Sequence, residues 1–377
     1  MSDLIIEVCK INKVRNHNNA DRLDVATVKD WECIVGRDQY KVGDLVIFIP
    51  PDSILTETLI EKYELTYLKR NGRTGTVKLR GEISQGLCFP ASDFNKTKAG
   101  EDVAKELGIT KYEPPEAPFY KNGNQTSRRK SNPHFNKYTD IQNIKNYTKI
   151  FHKGDNIVIT EKIHGTNFRC GYMPIHIDPQ NWFYRILNKI KSKVFGITHE
   201  FVYGSHNVQL SSNTKKNFYG EDVYGKIAKK YDLAKKLKSF VDSDTNVNSI
   251  TLYGEIYGNE IQDLTYGIED IDLVIFDMKV NGEFLDYDDM VFNVDTLFDL
   301  PTVPLLYKGK YEDKRIIKKY TEGNTMMLVN SPQLREGCVI KSMTEERTPI
   351  GRNARSRKIL KSVSTEYLSR KAASEFH

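Results

Sequence analysis

Apolar and polar positions alternate over short distances through roughly the first 110 residues, and the period then changes. Candidate strands are Leu4–Lys10, Asp24–Val28, Glu32–Val35, Leu45–Ile49, Thr76–Leu79 and Gly86–Phe89. Turn formers separate them: Val42-Gly43-Asp44, Pro50-Pro51-Asp52 and Asn71-Gly72. Five or six short strands at this spacing predict a small closed β-barrel. Further along, apolar strands alternate with helical patterns. From Glu221 to Phe240, the residues Tyr224, Ile227, Tyr231, Ala234 and Leu237 recur every three to four positions, which predicts one helix with an apolar face. A second helix, Tyr311 to Tyr320, ends at the stop signal Thr321-Glu322-Gly323-Asn324. A hairpin turn is expected at Asn281-Gly282.

The two patterns divide the chain. We expect an all-β domain over residues 1–111 and an α+β domain with antiparallel sheets over 137–377. A linker, 112–136, is marked by Pro114-Pro115, Pro118 and Asn122-Gly123-Asn124. With 377 residues, each domain is long enough to bury its own core. Tyr172 to Phe201, with Trp182, reads as an insertion without an assignable role.

The net charge of +6 is mild but unevenly spread. Between Tyr120 and Ile150 seven basic residues face one acid, Asp140, and from Ser342 onward eight Lys or Arg face four Glu. Such patches suit a polyanionic partner; a solvated surface beside a linker is the alternative. The five cysteines are scattered and never form a CxxC pair, which argues against disulfides or structural zinc. No stretch approaches the roughly 20 apolar residues that span a bilayer, and Met1-Ser2-Asp3-Leu4 lacks a signal-peptide pattern. The cytoplasm is the expected location.

The chemistry concentrates in Glu161-Lys162-Ile163-His164-Gly165-Thr166-Asn167. The apolar run Ile157-Val158-Ile159-Thr160 delivers Lys162 into a tight turn, as suits an amine nucleophile at the mouth of a pocket. An unperturbed lysine is neutral about once in 2,500 molecules near pH 7. Attack on a phosphorus therefore needs neighbouring positive charge, and the transferred group needs it too. Later segments offer candidates. Glu255 stands among apolar residues in Leu252–Gly258, where a ribose hydroxyl, a metal-bound water or a cation could satisfy it, a structural salt bridge being the plain alternative. Phe276 in Ile271–Asp277 could stack on a purine or sit in the core. Glu336 begins and Lys341 ends a strand on which alternation sends them to opposite faces unless a bulge intervenes. Lys358 and Lys361 close the series as candidate phosphate ligands.

The spacing Lys162-x-His164-Gly165-x-Asn167 resembles the nucleotidyl-lysine motif of ATP-dependent RNA ligases of the RNA ligase 2 family. The five segments, in order, resemble motifs I, III, IIIa, IV and V of the polynucleotide ligase and capping enzyme superfamily. The phrases Ala20–Ala26 and Leu79–Leu87 resemble the OB-fold of tRNA-binding domains, and Leu300–Tyr307 is similar to a run in RNA ligases. An OB module ahead of the catalytic domain resembles one subfamily of RNA ligases, since DNA ligases and capping enzymes carry theirs behind it.

The resemblance implies an OB-like barrel followed by an ATP-grasp-like ligase catalytic domain. It also implies roles. Lys162 becomes a lysyl-AMP. Glu161 and Asn167 contact the nucleotide, Glu255 the ribose and the metal, and Phe276 the adenine. Glu336 helps to hold Mg2+ or Mn2+, and Lys341 with Lys361 binds the α-phosphate. His164 replaces the Asp usual in DNA ligases and capping enzymes. The sequence departs from the pattern twice: His206 stands where an Arg is common, and Lys361 is followed by Ser362-Val363 instead of a second motif lysine, for which Lys358 could compensate. The implied activity is ATP-dependent sealing of RNA 3′-hydroxyl and 5′-phosphate ends in RNA repair, on nicked or gapped duplexes, by a monomer. The alternatives are a DNA ligase or capping guanylyltransferase of the same superfamily, and an RNA-binding protein that no longer reacts.

Overall fold

The computed structural model describes residues 4–68, 71–112, 120–121, 124–125, 132–176, 198–210, 222–327, 332–351 and 353–370. The basic Arg128-Arg129-Lys130, the centre of the 172–201 insertion and Glu221 lie outside the described residues.

In the N-terminal domain, five antiparallel strands pair in the order Trp31–Gly36, Leu23–Val28, Glu7–Asn16, Leu45–Ile49, Leu87–Pro90. The sheet is buried on both faces: Val8 and Ile47 pack in one cluster, and Ile11, Ala26, Cys33 and Phe48 in another, as alternation along each strand requires. The expected OB-like barrel takes the form of a curled antiparallel sheet, a half-barrel. Its Trp31–Gly36 edge is tied by side chains to the strand Glu82–Gln85, which precedes the other end strand: Ile34 N–H donates to Ser84 Oγ (2.9 Å) and Cys33 Sγ–H to the Gln85 carbonyl (3.1 Å). Gly86 makes the adjoining turn possible. It has φ +80°, and a Cβ there would lie 2.1 Å from the Ile49 carbonyl oxygen.

Two sheets form the second domain. One has the order Gln142–Asn143, Ile359–Val363, Gly337–Ser342, Asn156–Lys162, Leu305–Lys310. The other runs Gln209–Leu210, His199–Gly204, Thr166–Pro174, Ile250–Gly258, Ile271–Val280, Glu283–Phe284. All pairings are antiparallel except the short Gln142–Asn143 with Ile359–Val363. Each sheet is covered on its outer face: Ile157, Ile159, Ile340 and Leu360 pack with Tyr311 and Ile317, and Phe168, Leu252 and Leu273 pack with Ile227, Leu233 and Leu237. The inner faces oppose each other, and a cleft lies between them. Tyr253 meets Ile359 at one end, and Tyr257 and Val274 meet Val363 and Tyr367 at the other.

The single helix expected from Glu221 to Phe240 is two helices, Val223–Lys230 and Leu233–Ser243. Asp232 between them takes the left-handed conformation (φ 48°), which breaks the backbone ladder while keeping the apolar stripe in register with the sheet. The second expected helix begins three residues later, at Lys314, because Asp313 caps it by accepting from Arg315 N–H. At Asn281-Gly282 both residues have positive φ, the hairpin turn that the dipeptide predicts.

Trp31 docks the two domains. It is 1% exposed, its Nε1–H donates to Asn146 Oδ1 (2.9 Å), and the Lys145 amine stands 4.8 Å from the ring centroid. Asn146→Ala leaves the indole N–H without its acceptor and should cost about 1–3 kcal/mol, read as a lower urea midpoint. Trp31→Ala should cost about 3–5 kcal/mol. Equal stability of Asn146→Ala and wild type would mean that the contact does not hold the domains together.

Candidate functional site

Lys162 ends the Asn156–Lys162 strand and faces Gly337 across the ladder. Its Nζ donates to Glu336 Oε1 at 2.6 Å. Glu336 is completely buried, whereas Lys162 keeps 18% of its side chain exposed at the cleft mouth. The expected alternation of Glu336 and Lys341 is overridden by Gly337. Its φ of +154° twists the strand start, and a Cβ there would sit 2.1 Å from the Ser362 carbonyl oxygen. The twist turns Glu336 toward the lysine.

Gly165 brings the second sheet close. A Cβ on it would lie 2.2 Å from the Ile256 carbonyl oxygen and 2.9 Å from Glu255 Cγ. Glu255 therefore stands beside the turn that follows Lys162, opposite Asn167 in the ladder. Burial pushes its carboxyl up to about 8; Lys162 draws it down and Glu336 pushes it further up. Two buried oxygens in this region, Glu336 Oε2 and Asn167 Oδ1, have no hydrogen-bond partner. Such atoms are costly unless a bound group completes them.

His164 is buried and points away from the open cleft. Nε2 lies 2.7 Å from Asp263 Oδ1, Nδ1 lies 3.1 Å from the Tyr367 hydroxyl and 3.9 Å from Glu336 Oε2, and the backbone N–H donates to the Tyr266 hydroxyl (2.6 Å). Burial lowers its basicity, so near neutral pH the ring is uncharged. Nε2 then donates to Asp263 and Nδ1 accepts from Tyr367. Tyr266 holds a left-handed backbone (φ 53°), unfavourable for an aromatic residue and retained at 1% exposure by this hydrogen bond and its packing.

The remaining candidates separate into two groups. Lys361 lies on the same face as Lys162, because Thr160, Val339 and Lys361 are opposite one another across three strands. Phe276 is half-buried inside the cleft, edge-on to Tyr138 at 4.8 Å. Glu161, in contrast, points to the opposite side from Lys162. It accepts from Thr325 Oγ1 and from Met326 N–H (2.8 Å), so its side chain supports that turn and is not available to a nucleotide. Lys341 lies opposite Val158, about 13 Å along the strand from Lys162, and its amine is buried 3.3 Å from Asp277 Oδ1. Lys358 bonds Asp155 (2.8 Å) and Glu346 (3.0 Å) at that far end, and His206 faces Asp140 at 3.4 Å. Glu161, Lys358 and His206 are thus each held by another partner, whereas the Lys341 amine, on the Lys162 face of the sheet, is ion-paired with Asp277 but has no hydrogen-bond partner.

Sequence reasoning missed Asp263, Tyr266 and Tyr367 around His164, and Arg169. Arg169 is buried, donates to the Ser205 (2.9 Å) and Phe135 (2.6 Å) carbonyls, and is pushed down to about 10 by burial. A charged residue in the strand two positions after Asn167 was the available signal.

A model of the RNA ligase family matches residues 155–363, and an OB-fold domain model matches residues 5–91. Among solved structures, an apo variant of Naegleria gruberi RNA ligase is similar at a TM-score of 0.71 and 21% identity, over 98% of each chain. A Lys-to-Ala variant of that enzyme with ATP and Mn gives 0.70 and 20%, over 97% of this chain and 98% of that one. A Glu-to-Ala variant with AMP and Mn gives 0.71 and 20% over the same shares. At these identities the likeness concerns the fold. No curated protein sequence matches the chain.

Glu255 sets a pH dependence. Its folded pKa lies above the unfolded value, so the protein must take up a proton to bury it. The associated stability is intact below about pH 4.5 and is lost as pH rises to about 8. Glu255→Gln removes this loss. Its thermal midpoint, measured without ligands, should exceed that of wild type by a margin that grows between pH 5 and 8; a margin independent of pH would contradict the assignment.

Proposed function

The chain belongs to the RNA ligase family, and from that premise we propose that it seals RNA ends with ATP and a divalent cation. The observation that carries the reading is the Lys162 amine beside the buried Glu336, with Glu255 and Asn167 close by. Lys162 Nζ attacks the α-phosphorus of ATP; an N–P bond forms and the P–O bond to pyrophosphate breaks. A 5′-phosphate oxygen of RNA then attacks the same phosphorus and releases the lysine, leaving an adenylylated RNA end. In the last step the 3′-hydroxyl attacks the 5′-phosphate, forms the phosphodiester and expels AMP.

Each residue has a task in this scheme. Asn167 Oδ1 meets the nucleotide, and Phe276 offers a ring to adenine. Lys361, on the lysine's own face of the sheet, supplies positive charge to the phosphates. His164 holds the 163–166 turn between Asp263 and Tyr367 and so positions Lys162. No group of three or more His, Cys, Asp or Glu suited to a metal ion occurs among the described residues. Two carboxylates nevertheless fit Mg2+ or Mn2+, which typically bind through one or two carboxylates together with substrate phosphates and water. Held by Glu336 and Glu255, the cation would add positive charge beside the α-phosphate and lower the cost of a neutral lysine.

We divide the chain into an OB domain (1–111), a linker (112–136) and a catalytic domain (137–377), the first two holding a nicked or gapped RNA duplex. We further propose a monomer that repairs RNA in the cytoplasm. No helix among the described residues is long and apolar enough to cross a membrane, and all five cysteines are free thiols.

Sealing assays on nicked RNA and DNA duplexes, with ATP or GTP, test the reading. Wild type should join 5′-phosphate RNA nicks with ATP. Lys162→Ala should lose at least about 1,000-fold in this reaction, as expected when a nucleophile is removed. On pre-adenylylated RNA it should stay within about tenfold of wild type, because the last step does not use the amine. Sealing of 5′-phosphate ends by Lys162→Ala at the wild-type rate, or by wild type without nucleotide, would overturn the proposal.

A further inference from the structure

Between the strand after Glu336 and the strand of Lys361 the chain forms a hairpin, Arg347–Ile350 with Asn353–Arg357. Its register sets Arg347 directly opposite Arg357, and Arg355 lies on the same face two residues earlier. Arg357 is the root. Its guanidinium is 1% exposed, bonds Asp277 (2.9 Å) and Glu345 (2.8 Å), and stands 3.5 Å over the Phe284 ring. Lys279 pairs with Phe284 across the 281–282 turn, and its amine lies 4.4 Å from the centroid of the same ring. Four cations therefore occupy one rigid patch.

This arrangement is unfavourable by itself. Like charges directly opposite in a ladder destabilise it. Burial first, and then the charges of Arg357 and Arg347, push the Lys279 amine down; Glu283 and Asp277 oppose the shift. Of the neighbouring acids, Asp277 is engaged by Arg357 and Lys341, Glu345 by Arg357 and Glu346 by Lys358, which leaves the exposed Glu283. Among the described residues, none of Lys279, Arg347 and Arg355 makes an ion pair, and both arginines are exposed. Cations gathered on neighbouring strands in excess of the acids left to pair them create a field that favours an anion.

The patch adjoins the cleft. Phe284 lies 5.7 Å from the Tyr138 ring, which in turn lies 4.8 Å from Phe276. Arg347 and Arg355 are exposed along the strand pair above the buried Arg357, a layout that suits successive phosphates better than a single one. We propose that the 347–357 hairpin, with Lys279, binds the sugar-phosphate backbone of the RNA substrate beyond the nucleobase end of the cleft. The proposal rests on the reading of the chain as an RNA ligase.

Anisotropy of a labelled nicked RNA duplex, titrated over a range of salt concentrations, tests it. For R347E/R355E the affinity should fall at least about tenfold, and the slope of log K against log salt should fall by about 2, since each phosphate contact contributes roughly 0.9. ATP-dependent adduct formation on Lys162 should match wild type, because neither arginine belongs to the nucleotide site. R347Q/R355Q, a milder change that protects against misfolding, should lose the same slope, and R347K/R355K should stay within about threefold of wild-type affinity. An unchanged affinity and slope in the Glu and Gln variants, with the adduct intact, would overturn the proposal. A wild type that forms no adduct and seals no RNA would instead remove its premise.

Discussion

The ion pair between Lys162 and Glu336 is the constraint around which the catalytic domain is arranged. Glu336 is wholly buried, and removing one partner of such a pair leaves an uncompensated charge at a cost of about 3–5 kcal/mol. The surrounding backbone is shaped to make the pair possible. Gly337 permits the twist that turns Glu336 inward, Ser364 N–H donates to the Glu336 carbonyl (2.8 Å), and the short helix Thr365–Leu368 carries Tyr367 back to His164. One contact thus fixes the end of the first sheet, the turn after the lysine and the C-terminal helix together.

The same pair poses a chemical problem. The Lys162 amine donates to Glu336 at 2.6 Å, yet attack on phosphorus needs the amine's lone pair free. The second carboxylate addresses this. Burial pushes Glu255 up to about 8, and positive charge such as that of Lys162 draws it back down. Glu336 Oε2 and Asn167 Oδ1, both buried and unpartnered, are likewise completed by an incoming group.

Much of this architecture was legible in the sequence, and the failures have identifiable causes. Strands in the first domain followed from alternation, but barrel closure depends on Ser84 and Gln85, which no periodicity marks. One helix became two because the conformation of Asp232 is a local choice invisible to an apolar stripe. Motif spacing picked out Lys162, Glu255, Phe276, Glu336 and Lys361; Glu336 meets the Lys162 amine, and Lys361 shares its strand face. Glu161, Lys358 and His206 were carried by the same motifs but are held elsewhere, since a motif fixes residue type and order without fixing which partner a side chain meets. Asp263 and Tyr266 lie about 100 positions from His164 in sequence, and only the fold brings them to it. His164 also proves to be a buried, neutral anchor of the turn. The assignment to the RNA ligase family therefore rests on the match over residues 155–363 and not on that one substitution.

The most direct test of the central claim is to locate the covalent nucleotide. The protein is incubated with ATP labelled at the α-phosphate and Mg2+ or Mn2+, digested, and the labelled peptide is sequenced by mass spectrometry. Acid-labile AMP on Lys162, released by added pyrophosphate, is expected. Label on any other residue, or none under conditions in which the protein seals RNA, would contradict it.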